Sequence, residues 1–165
     1  MQEKIFEKRN VEPDLDILTS LFGNNLLSAF ITGHLIIESL VMQMIHFKGQ
    51  TNEAIIKKNF PTKLKMCVDL EYFDEKLESF LLLINDIRNI YAHNLGYHIT
   101  YDEIFTLVKK ANEAGIDFSD DTIFSNKNEA EKWYGIVDTV QEIFQNTALE
   151  LSSILEENGG EFKFA

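Results

Sequence analysis

The stretch Asn85-Asp86-Ile87-Arg88-Asn89-Ile90-Tyr91-Ala92-His93-Asn94 decides how this chain is read. On a helical wheel at about 100° per residue, Asn85, Asn89 and His93 fall within about 80° of one another, and Arg88 lies about 60° to the other side of Asn85. Leu83, Ile84, Ile87, Ile90 and Tyr91 group opposite. The spacing predicts a helix with an apolar core face and a second face that carries a cation, two amides and an imidazole. A guanidinium grips phosphate with a rigid fork, and an imidazole moves protons near neutral pH. Arg88, Asn89 and His93 are therefore the candidate catalytic residues, with Asn85 beside them.

Outward from this stretch, helical periodicity dominates and no alternating strand pattern occurs. Asp74 is the expected N-cap of the motif helix, which should end near Asn94-Leu95-Gly96. Upstream, a long helix is expected from Leu26 to Phe47, with Phe30, Leu35, Leu40, Val41 and Met44 on its apolar side. A short helix after Pro13, with Leu15, Leu18, Leu21 and Phe22 apolar, should precede it across a break at Gly23-Asn24-Asn25. A helical turn near Glu53 and a short helix over Thr62 to Leu70 fill the space before Asp74. Downstream, Thr100-Tyr101-Asp102-Glu103 matches a capping box. Asn112 to Ser125 reads as a loop. A final helix should then run from Asn126 to Glu157, with Trp133, Ile136, Val137, Val140, Phe144, Leu151 and Leu155 inward. The expected fold is all-α, an up-and-down bundle of five to six helices in a single domain over residues 1–165. The ends, 1–13 and 159–165, are expected to be flexible.

Composition narrows the function. A chain of 165 residues with 45% apolar content fits one domain with a real core. A formal charge of −12 opposes a broad electrostatic hold on nucleic acid or anionic lipid, so direct DNA binding is disfavoured and no membrane partner is expected. The single Cys67 excludes an internal disulfide and a cysteine-based zinc site. No apolar signal segment opens the chain, and the longest uninterrupted apolar run is Phe80 to Ile84. A reducing cytoplasm is the expected compartment. No cofactor is expected, because Gly-rich phosphate loops, Ser-His-Asp sets and H-E-x-x-H are all missing from the sequence.

The order Arg88-Asn89-Ile90-Tyr91-Ala92-His93, late in a long helix of an all-α chain, resembles the HEPN superfamily. Glu38, in Gly33-His34-Leu35-Ile36-Ile37-Glu38, stands where many such domains carry an acid on their second helix. Phe60-Pro61-Thr62-Lys63-Leu64-Lys65-Met66 ahead of the motif looks like the mannitol operon repressor (MltR) branch. The likeness covers roughly Leu26 to Asp102. It implies a helical bundle that commonly dimerises. In family members that are enzymes, two motifs meet across the dimer and cleave RNA without metal. Carried over, His93 would be the general acid/base at a ribose 2′-hydroxyl, Arg88 would stabilise charge on the phosphorus oxygens, and Asn89 would orient them. Other members are binding or regulatory modules, so the fold alone does not settle the chemistry.

The residues themselves add two constraints. Five positions separate Arg88 from His93, so their side chains diverge by about 140° on one helix, which favours a site completed by a second subunit. Leu81 and Leu82 fall on the polar side of the wheel and are the candidate dimer contacts. Against the catalytic reading stands a structural one. Arg88 would pair with Glu38 or Asp86, His34 with Glu38 one turn on, and His93 would cap carbonyls at the helix end. A His34-Glu38-His93 metal site lacks the usual ligand spacing. Lys57, Lys58, Lys63 and Lys65 form the sole basic concentration and read as a solvated face. Two functions follow: a dimeric transcriptional regulator acting through protein contacts, and a metal-independent endoribonuclease, toxin-like and restrained by a protein partner (an antitoxin).

Overall fold

The computed structural model describes residues 25–94 and 96–163. Among them are eight helices and no strand: α1 (Asn25–Phe47), α2 (Glu53–Ile56), α3 (Phe60–Asp69), α4 (Glu75–His93), α5 (Tyr101–Glu113), α6 (Thr122–Ser125), α7 (Lys127–Trp133) and α8 (Gly135–Glu157). The fold is all-α. The helix expected after Pro13 lies outside the described residues.

Local chemistry sets the helix ends. The Asn59 side chain accepts from the Thr62 backbone N–H to open α3, where Pro61 sits in the first turn and loses no needed donor. Asp74 accepts from the N–H groups of Lys76 and Leu77, both at 3.0 Å, to open α4. Thr100 and Glu103 close a reciprocal capping box at α5. In α5 the inward residues Ile104, Leu107, Val108 and Ala111 recur at three- and four-residue steps, which gives it a single buried stripe.

α1 and α8 are the long central pair. Gly33 of α1 faces Phe144 of α8 so closely that a Cβ there would sit 2.3 Å from the ring. Gly159, just past α8, lies beside Phe47 at the end of α1, so the two helices run in the same direction. Phe30 is fully buried between the rings of Tyr91 (5.2 Å) and Phe144 (5.3 Å), and so joins α1, α4 and α8. α1 is long and apolar enough, by length and composition, to cross a membrane. Within the described residues it packs against α8, α3 and α4.

The structure departs from the sequence expectation in several places. The last helix is two helices, because Gly135 adopts φ +63, a left-handed conformation that a helix cannot continue through. The change of direction puts α7 out of phase with α8. Trp133, expected inward, is therefore 58% exposed, and Val137 is exposed as well. Tyr134 is tied down by its hydroxyl, which donates to Asp120 Oδ2 at 2.6 Å. Leu35 also faces solvent. In the tail, Gln43 of α1 donates to the Lys163 carbonyl at 2.8 Å and accepts from its N–H at 3.1 Å.

Candidate functional site

The buried face of α4 is broader than its isoleucine stripe. Ile84, Ile87 and Tyr91 are buried, but so are Leu81 and Asn85. Leu81, Asn85 and Arg88 follow one another at i, i+4, i+7 and share one side. α4 packs on α1, α3 and α5, so more of its circumference is covered than a two-layer reading allows. Leu81 is consequently sealed inside its own chain at 0% exposure and offers nothing to a second copy, which corrects the dimer role expected of it. Leu82 is half-buried and lines a groove of about 810 Å³ between α4 and α5, with Lys76, Asp86, Lys110 and Glu113 among its charged lining. Ile90, expected in the core, is 43% exposed.

Asn85 reaches α1. The His34 Nε2–H donates to Asn85 Oδ1 at 3.2 Å, and the pair is buried. The His34 ring also packs edge-on against Phe60, with centroids 4.7 Å apart. Burial first, and the Arg88 charge second, hold the His34 pKa below its ordinary 6.5. The neutral form with the proton on Nε2 satisfies both the hydrogen bond and this environment. Its Nδ1 has no hydrogen-bond partner and lies 4.0 Å from Glu38 Oε2.

Glu38 takes a different cation from the one expected. Lys63 Nζ donates to Glu38 Oε1 at 3.0 Å, and Lys63 is only 6% exposed. Phe60, Leu64 and Cys67 are buried on the same helix at three- and four-residue steps around Lys63. That spacing carries it inward, while Lys57, Lys58 and Lys65 stay exposed. The lysine stem packs with the apolar residues and its ammonium meets Glu38 at the edge. The basic group is therefore not one solvated face. The signal that identifies Lys63 is its place in the Phe60–Cys67 apolar stripe.

Arg88 makes no ion pair among the described residues. It is half-buried: Nη1 donates to Asn89 Oδ1 at 3.0 Å, and Nε is buried without a partner. Asp86, its other expected partner, is exposed. His93, the last residue of α4, is exposed. The chain after it is anchored by Tyr97, whose ring meets Tyr91 at 4.9 Å and whose hydroxyl donates to Glu103 Oε1 at 3.1 Å. The six named residues thus divide. His34 bonds Asn85 and lies 4.0 Å from Glu38, which pairs with Lys63; the Arg88 charge reaches His34 and Arg88 holds Asn89, while His93 is exposed at the helix end. Among the described residues no three His, Cys, Asp or Glu side chains form a set that could hold a metal ion.

The buried imidazole gives a pH signature. Since the His34 pKa is lower in the folded chain, the unfolded chain binds its proton first as pH falls. Stability is then complete above about 6.5 and declines below it, down to the folded-state pKa. The depressed carboxyls of Glu103 and Asp120 act only lower, below the ordinary carboxylate values of 4.5 and 3.8. Thermal midpoints measured between about pH 7.5 and 5 should fall with acidification in wild type. They should fall less in His34→Gln, which keeps a donor for Asn85 and has no proton to gain.

No protein-family model matches this chain, and no curated protein or solved structure matches it either.

Proposed function

We propose that this chain is a HEPN-like helical regulator that works as a dimer through protein contacts, with its arginine motif serving mainly to build the bundle. The observation that carries this reading is the placement of Arg88. Its Nε is buried, its charge acts on His34, and one of its donors is spent on Asn89. A guanidinium held this way has less freedom to follow the charge that develops on a reacting phosphate. The net charge of −12 supports the same reading, because RNA affinity without a basic surface is weak and falls steeply with salt. The likeness to the mannitol operon repressor branch supports regulation over catalysis.

The second reading, a metal-independent endoribonuclease, is favoured by one feature: His93 is exposed at the helix end, open to a second subunit. Incubating the purified chain with mixed RNA in EDTA, beside His93→Ala and Arg88→Ala, separates the two. Wild type is expected to leave the RNA intact. Cleavage that disappears in both variants would replace the regulator with the nuclease.

A further inference from the structure

α1 is more apolar than the described chain covers. Its 23 residues include a single Asp, Glu, Lys or Arg, Glu38, and that carboxylate turns to Lys63. Yet only 33% of its most apolar 18-residue window is buried. Its uncovered side meets α8 in a groove of about 690 Å³. The facing side chains are small: Ser28, Ala29 and Thr32 on α1, and Ala148 and Ser152 on α8. Among the described residues no ionisable side chain lines the groove. A leucine projects on each side of it. Leu149 of α8 is 68% exposed, the largest exposure among the big apolar side chains described. Leu35 of α1 is 55% exposed and follows Thr32 by three residues and Ser28 by seven, so it shares their face. We propose that this α1–α8 face is the surface through which two copies of the chain pair.

Charge, shape and area support a second copy as the occupant. Two chains that each carry −12 repel, and they repel least where no charge lies between them. A two-fold interface uses the same patch on both chains, so the patch must offer hollow and projection together. This one does: small side chains make the hollow, and Leu35 and Leu149 stand beside it. α1 and α8 are 23 residues each, or about 34 Å long. Packed about 10 Å apart, they present a face about 20 Å wide, on the order of 700 Å². A stable interface takes about 800 Å² from each partner, which is close to this. The inference rests on the dimeric reading above and names the face that reading needs. It also keeps the two motifs apart. α4 meets α1 through Phe30 and His34, each two residues from Thr32 and so about 160° round the helix from it. Pairing on the Thr32 side leaves each Arg88 behind its own α1.

The test is sedimentation equilibrium of the full chain over about 1–100 µM. Wild type is expected to reach twice the mass of one chain. Leu149→Glu and Thr32→Glu, on opposite walls, should each raise the dimer dissociation constant about a hundredfold or more, because each sets two carboxylates into an uncharged interface. Both positions are exposed in the single chain, so circular dichroism should show the fold intact. Ile90→Glu, at an exposed position of α4, should leave the constant within about twofold of wild type. A wild-type dimer that both groove variants leave intact would overturn this face and leave the dimeric regulator standing. So would a dimer that Ile90→Glu alone disrupts, which would assign the pairing to the motif helix. A wild type that stays a single chain at every concentration would overturn the face and the dimer together.

Discussion

Truncating Phe30 to alanine is expected to cost about 3–5 kcal/mol, the range for deleting a large buried ring. The side chain is fully buried and touches two rings on two other helices. No neighbour can collapse into the space without drawing α4 or α8 toward α1, and the Phe144 ring already lies where a side chain at Gly33 would sit. Part of the loss is apolar transfer and part is the cavity left behind. In a chain of this size each kcal/mol moves the thermal midpoint by about 2–4 °C, so the variant should melt about 6–20 °C lower. Urea denaturation followed by circular dichroism gives the free energy directly. A loss under about 1 kcal/mol would mean that the three-helix junction is not packed as described.

Glu38→Ala should cost about 3 kcal/mol. The substitution leaves the Lys63 ammonium nearly buried with its ion-pair partner removed, and an uncompensated buried charge is among the most expensive single defects. The low end of the range applies because the Glu38 side chain is 31% exposed and water can reach the gap. Removing both charges with Glu38→Leu and Lys63→Met should recover much of the loss, since two apolar groups of similar size leave no charge stranded. The double-mutant cycle measures the coupling. Losses of the two single variants that simply add in the double variant would show that the pair contributes nothing beyond packing.

The sequence made the helix starts easy to read wherever a side chain does the capping. Asp74 and the Thr100–Glu103 box begin α4 and α5 where the capping chemistry requires. The buried stripe of α1 followed from Phe30, Leu40, Val41 and Met44 at helical spacing. The break inside the last helix was harder to see, because a lone glycine in a helical pattern usually costs stability without ending the helix. Only the left-handed backbone at Gly135 separates the two cases, and it also moved Trp133 outward.

At the candidate site, the residue types were legible and their partners were not. Wheel angles place side chains around one helix but do not say how many neighbours cover it. Leu81 and Asn85 turned inward because three helices cover α4, and Ile90 was left in solvent. Glu38 was expected to need a cation, but the choice of Lys63 over Arg88 depends on how α3 lies across α1, which no local pattern encodes.

The account turns on the Nε of half-buried Arg88 being sealed within the bundle. The chain has two arginines, Arg9 and Arg88, so their Nε–H signals can be separated in a proton–nitrogen correlation spectrum and assigned with Arg88→Lys. A buried Nε–H exchanges with water only through opening of the fold. The Arg88 signal should therefore persist at neutral pH and exchange far more slowly than that of a free arginine. An Arg88 Nε–H that exchanges as fast as the free side chain would place the guanidinium in solvent beside His93 and contradict the account.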